Sequence, residues 1–202
     1  MNTVIDDSSG WFVLQTLPRS EKKAAYLLGQ KGYECFLPTY RQKRHWSDRV
    51  VIVDLPLFSS YLFCRFNSLV LGRALDTPGV SRIVAFGGRP AEVPEDEIES
   101  LKLLTKSDLL RTPWSFLPDG TVVRVESGPL TGATGIICVS DRKHCLVISV
   151  TMLLRSVAVQ LDDNTVVSVI KNPNSGPQKH RKNKAESYSN SVVVQLLNSA
   201  RV

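Results

Sequence analysis

The chain has 202 residues, of which 43% are hydrophobic and 22% charged, with a formal net charge of +6. That balance is ordinary for a soluble globular protein and leaves room for one large domain or two small ones. Apolar stretches such as 55–63 are broken by Pro or Ser well short of the roughly 20 residues that cross a bilayer, and Asp6 and Asp7 stand where a secretory leader would be basic, so a cytoplasmic protein without a membrane span is expected.

After a flexible 1–9 segment, Trp11 to Leu17 is a continuous apolar run ended by Pro18, the pattern of a central strand. Ser20 offers an N-cap, and Ala24, Leu27 and Leu28 recur at helical spacing until Gly29 and Gly32 stop the pattern. Tyr33 to Tyr40 reads as a second strand and Val50 to Val53 as its return, with a basic loop or hairpin tip between them. Tyr61 to Phe66 carries large residues on both faces and predicts a strand buried on both sides or one with an exposed functional face. Pro94 opens a helix whose first turns hold Glu95, Asp96, Glu97 and Glu99 and whose apolar stripe is Ile98, Leu101 and Leu104.

Residues 107–119, with Pro113, Pro118 and Asp119, lose periodicity and read as a linker between a first domain at 10–106 and a second at 120–171. In the second, 121–126, 135–139, 146–150, 157–161 and 166–170 are β-branched runs separated by turn residues, the pattern of a small five-stranded barrel. Gly128, Gly132 and Gly135 mark places where positive φ or close backbone approach is needed. The remainder, 172–202, is a basic tail too rich in Pro, Asn, Ser and Lys to form a core. Cys35, Cys64, Cys138 and Cys145 form no Cys-x-x-Cys pair, and Cys138, His144 and Cys145 lack a fourth metal partner, so inert thiols and no metal are expected. His45, His144 and His180 stand beside no nucleophile or carboxylate pair, and no glycine-rich phosphate loop appears, so neither enzyme chemistry nor a cofactor is expected.

Four ordered elements then resemble a known family. They are Leu55-Pro56-Leu57-Phe58-Ser59-Ser60-Tyr61-Leu62-Phe63-Cys64-Arg65-Phe66, Thr77-Pro78-Gly79-Val80, Phe86-Gly87-Gly88-Arg89-Pro90 and Gly128-Pro129-Leu130-Thr131-Gly132-Ala133-Thr134-Gly135. Over about residues 10 to 170 they resemble NusG-type transcription elongation and antitermination factors. The resemblance implies an α+β N-terminal domain, an antiparallel sheet flanked by helices, followed by an all-β SH3-like KOW barrel. It also implies that Leu57, Phe58 and Tyr61 meet the clamp helices of RNA polymerase, since the family's Phe-Pro-(Gly or Asn)-Tyr motif falls on 58–61 with Ser at its two middle positions. From the residues alone Phe58 and Tyr61 read more readily as core, and it is the resemblance that reverses that weighting.

The basic stretch containing Lys43, Arg44, His45, Trp46 and Arg49 combines cations for phosphates with a flat ring for an unpaired base. By resemblance it lies near the displaced non-template strand and contacts single-stranded DNA, with Arg19 and Arg82 extending the surface; a solvated hairpin with Trp46 folded back is the plainer alternative. Leu153, Leu154 and Arg155 fall where the KOW module would bind Rho or a ribosomal small-subunit protein. Similarity of 56–58 and 80–82 to operon-dedicated members favours an antiterminator for particular long operons, with an RNA-binding or ribosome-associated KOW protein as the alternative. The β-branched content of 121–170 predicts a second domain that stays β in the free chain, with the polymerase face of the first left open.

Overall fold

Strand β1 (Gly10–Thr16) is buried along nearly its whole length, as a continuous apolar run requires of a strand covered on both sides. The structure, a computed structural model, describes residues 9–67, 71–115, 117, 120–140, 143–162, 165–171 and 193–195. The chain continues through α1 (Glu21–Gln30), β2 (Glu34–Phe36), β3 (Thr39–His45), β4 (Val50–Pro56) and β5 (Tyr61–Phe66). It then forms α2 (Leu71–Leu75), β6 (Val80–Ile83), β7 (Ala85–Phe86), β8 (Arg89–Pro90), β9 (Glu92–Val93) and α3 (Glu95–Lys106).

The first sheet is antiparallel in the order β2-β5-β1-β6, with β9 also paired to β1. Alternation along β1 and β5 sends Phe12, Leu14, Leu62, Cys64 and Phe66 to one face, where Ala24 and Leu28 of α1 cover them. Trp11, Val13 and Phe63 go to the other face and join Ile98, Leu101 and Leu104 of α3. The Trp11 indole donates to Glu95 Oε1 at 3.2 Å while the Lys102 ammonium lies 4.7 Å from the ring centroid. The predicted second strand is divided: Leu37 and Pro38 end β2, and β3 leaves the main sheet to pair with β4 in a two-stranded ribbon. A prolyl nitrogen cannot donate to a ladder, which is why the chain changes direction there.

The second half runs through β10 (Arg111–Ser115), β11 (Thr121–Val125), β12 (Thr134–Ser140), β13 (Lys143–Val150), a 3-10 turn (Thr151–Leu153), β14 (Arg155–Gln160), β15 (Val166–Lys171) and β16 (Val193–Gln195). All five anticipated strands form, in one antiparallel sheet ordered β10-β14-β13-β12-β11-β15-β16. The stretch read as a linker between the two halves carries β10, and a short piece of the tail supplies β16; the rest of the tail at 172–202 lies outside the described residues. Gly128 and Gly132 have φ of 89° and 92°, and at Gly135 a Cβ would stand 2.7 Å from the Val147 carbonyl oxygen, so each glycine has the backbone reason its position suggests.

α3 packs against β1 on one side and against β12 and β13 on the other. One apolar cluster therefore runs from Trp11, Phe58 and Phe63 through Ile98, Leu101 and Leu104 to Leu130, Leu146 and Ile148. Ser100 is buried and its Oγ accepts from the Thr134 backbone N–H at 3.0 Å. Across the same seam Thr151 Oγ1 donates to Glu97 at 2.8 Å. The two sheets thus meet, and the expected open face of the first is covered, because α3 offers a second flank that the first sheet alone leaves unburied.

Candidate functional site

The segment 57–61 is a tight turn whose strain is held by its neighbours. The Leu57 N–H donates to the Pro38 carbonyl at 2.9 Å and the Tyr61 N–H to the Phe58 carbonyl at 3.1 Å. Ser60 sits at φ 66°, a left-handed conformation that costs an L residue about 1–2 kcal/mol and that Gly or Asn adopts most readily. This is the position at which the resembled motif carries Gly or Asn. Ser60 is tolerated because its N–H donates to Glu21 Oε1 at 2.8 Å and its carbonyl accepts from Thr16 N–H at 2.9 Å. Glu21 is itself only 6% exposed; it therefore serves the turn, while Ser20, expected to cap α1, makes no side-chain cap bond.

The turn separates the three proposed docking residues. Leu57 and Phe58 are buried, with Phe58 edge-on to Phe63 at 5.8 Å between ring centroids, so they form core here and do not wall an open pocket. Tyr61 is half-buried and faces the second sheet, where the Arg155 guanidinium carbon lies 5.3 Å from its ring centroid. Leu154 has φ 49° and is 65% exposed, and Leu153 packs onto the shared cluster. Arg155 thereby sits against the first sheet, Leu153 on the cluster the two sheets share, and Leu154 points to solvent.

The β3–β4 ribbon carries the basic group outward. Lys43, Arg44, His45 and Arg49 are all exposed, and the tip is closed by Trp46 N–H donating to the Arg49 carbonyl at 2.8 Å. Trp46 is 56% exposed with the Arg49 guanidinium 5.5 Å from its ring centroid, so the indole is not folded onto the sheet. The cations extend along the strand as well as the tip: Lys43, Arg44 and His45 pair with Ile52, Val51 and Val50. At the ribbon's base a cavity of about 500 Å³ is lined by Arg19, Lys22, Tyr40 and Arg44 among others. Arg19, at φ 63°, thus joins Arg44 on one surface, together with Lys22, which the sequence pattern does not single out. Arg82 lies on β6, where its Nε donates to Gln15 Oε1 at 2.6 Å, and it does not line that cavity.

Cys35 and Cys64 face each other across β2 and β5 with Sγ atoms 3.6 Å apart, and Cys138 faces Cys145 across β12 and β13. The bond to Cys35 and burial push the Cys64 thiol well above its usual range, which disfavours the reactive thiolate. Among the described residues no cluster of His, Cys, Asp and Glu is arranged to hold a metal, and no helix is long and apolar enough to cross a membrane.

Residues 9–102 match the NusG family, described as transcription termination factor nusG. That span, just under half of the chain, is the first sheet with α1, α2 and most of α3. Among solved structures the chain is similar to Thermotoga maritima NusG, from work on domain interaction in that protein, with 20% identity and a TM-score of 0.46 over 76% of this chain and 93% of that one. It is also similar to the MjSpt4:Spt5 complex in conformation A, with 17% identity and a TM-score of 0.29 over 82% of this chain and 87% of that one.

Proposed function

We propose that this protein is a transcription elongation and antitermination factor that binds the clamp helices of RNA polymerase through the surface around Tyr61 and suppresses pausing or termination. The observation that carries this reading is the NusG-family match across 9–102, within which the 58–61 turn keeps both aromatics and the left-handed third position of the family's motif. The protein works by holding two surfaces together and performs no bond chemistry. The exposed ribbon, with Arg49 stacked beside Trp46 and further cations along β3, suits the phosphates and unstacked bases of the non-template strand. The second sheet is the KOW-like module, and the loop at Leu153, Leu154 and Arg155 is its partner-binding edge, for Rho or a ribosomal small-subunit protein. Service to particular long operons fits the departures at 56–60 from the family's general pattern.

Because Tyr61 faces Arg155 in the closed arrangement, docking requires the two halves to part, and apparent affinity is lowered by the fraction that is closed. Capture of polymerase from the host lysate on immobilised protein tests the proposal. Polymerase is expected to be retained at moderate salt and lost when its clamp helices are deleted. Retention of RNA with a steep salt dependence, and no polymerase, would instead identify an RNA- or ribosome-bound protein.

A further inference from the structure

Among the described residues three that are not glycine hold a left-handed backbone, and two of them, Arg19 and Ser60, line one cavity. Ser60 is accounted for by the bonds that hold its turn. Arg19 is not. It stands third in a four-residue turn that is closed by the Ser20 N–H donating to the Leu17 carbonyl at 3.0 Å, with Pro18 second. The φ of 63° at that third position is one that glycine takes without strain. A long cationic side chain kept where glycine fits best implies a task for the side chain, because backbone strain of this kind gathers at functional sites.

The cavity, of about 500 Å³, has the size of sites that enclose a small organic ligand. Arg19 and Lys22 reach it from the turn and from α1, Arg44 and Tyr40 from β3, and Leu55 from β4. Among the described residues none of these three cations forms an ion pair. Glu21, the one carboxylate among the described lining residues, already accepts from the Ser60 N–H. The lining is therefore positive, with Tyr40 and Leu55 as an apolar wall. A phosphodiester in a strand brings one negative charge per nucleotide, whereas a terminal phosphate brings about 1.5 to 2 near neutral pH and a polyphosphate more. Three unpaired cations from separate elements match the denser charge, and a guanidinium fork suits phosphate oxygens.

We propose that this cavity binds a free nucleoside polyphosphate, with its phosphates against Arg19, Lys22 and Arg44 and its base against Tyr40 and Leu55. One wall belongs to α1 and another to the β3–β4 ribbon, which pairs within itself and stands apart from the main sheet. An occupied cavity therefore ties the ribbon to the first domain and fixes its direction. Nucleotide binding makes the ribbon responsive to a small molecule, and the inference does not depend on what docks around Tyr61.

The test uses the full chain at low salt with ATP as the probe, followed by isothermal titration calorimetry and by amide chemical shifts. ATP is expected to bind in the micromolar range, tripolyphosphate at least about threefold more weakly, and adenosine not measurably. The shifts should centre on Lys22, Arg44 and Ser60. Arg19→Gly suits the backbone at its position, so the melting temperature should stay within about 3 °C of the parent's while ATP binding weakens at least about tenfold. Arg19→Lys keeps the charge without the fork and should fall between the two. Lys22→Ala, at an exposed position of α1, should weaken ATP at least about fivefold and serves where Arg19→Gly does not fold. The proposal is overturned if ATP does not bind the folded parent chain, if adenosine binds as tightly as ATP, or if the folded variants bind ATP as well as the parent. A short oligothymidylate without terminal phosphates should lose less than about threefold on Arg19→Gly. An equal loss of both ligands would assign the cavity to a nucleic-acid strand and overturn the proposal as well.

Discussion

Tyr61 and Arg155 lie in contact across the seam, and truncating them separately should move polymerase binding in opposite directions. Arg155→Ala removes a cation–π contact at a partly solvated site, worth about 0.5–1 kcal/mol. If the closed form dominates, that loss raises the open fraction and strengthens apparent polymerase binding about two- to fivefold, because apparent affinity scales with the competent population. Tyr61→Ala removes the same contact and gains the same opening, yet it also removes an aromatic anchor at the docking surface, a loss of about 1–3 kcal/mol. The net result is weaker binding. In the Tyr61→Ala background, Arg155→Ala should change nothing further, since the contact it removes is already gone. Purified polymerase and the four proteins of this cycle, titrated by fluorescence anisotropy with no other factor present, give all four affinities. Weaker binding by folded Arg155→Ala, or undiminished binding by folded Tyr61→Ala, would refute the reasoning.

Three further outcomes are expected from the same geometry. Replacing Lys43, Arg44 and Arg49 with Ala should weaken single-stranded DNA binding and flatten its log–log salt slope by about 2, at roughly 0.7 per phosphate contact, with polymerase capture intact; equal loss of both would mean that the ribbon touches polymerase. Burial raises the Glu97 carboxyl above its usual range, outweighing the lowering by its bonds from Thr151, so closing takes up protons: closure is favoured below the ordinary Glu range and weakens as pH rises through the raised value. Opening, measured by scattering between pH 4 and 7, should therefore increase with pH in the parent chain, and Glu97→Gln should flatten that trend. Glu21→Ala leaves the Ser60 N–H without its carboxylate acceptor and should destabilise the fold by about 1–3 kcal/mol in urea denaturation, whereas Glu21→Gln, which keeps an acceptor, should recover most of that loss.

Periodicity and turn chemistry settle much of this protein before any tertiary contact is considered. The unbroken apolar run of β1 has no solvated face to offer, so it becomes a central strand between two helices. The β-branched runs after residue 120 disfavour helix and become strands, and Gly128, Gly132 and Gly135 announce the turns and close approach between them. The aromatics at 58 and 61 and the cations from Lys43 to Arg49 are equally visible as residue types at a spacing. What α3 covers is not visible in that way. Ile98, Leu101 and Leu104 predict one apolar stripe, but the burial of Ser100 and the pairing of Glu97 with Thr151 depend on a second sheet arriving from more than thirty residues away. Local pattern is equally silent on β10, whose Pro113 and exposed side chains read as linker, because a strand at an edge is defined by the ladder it completes and β14 lies forty residues downstream in sequence. Burial of Phe58, the contact of Arg155 with Tyr61 and the hydrogen bonds of Arg111 to the carbonyls of Thr39, Leu104 and Ser107 all arise from long-range packing, which residue spacing along a chain does not encode.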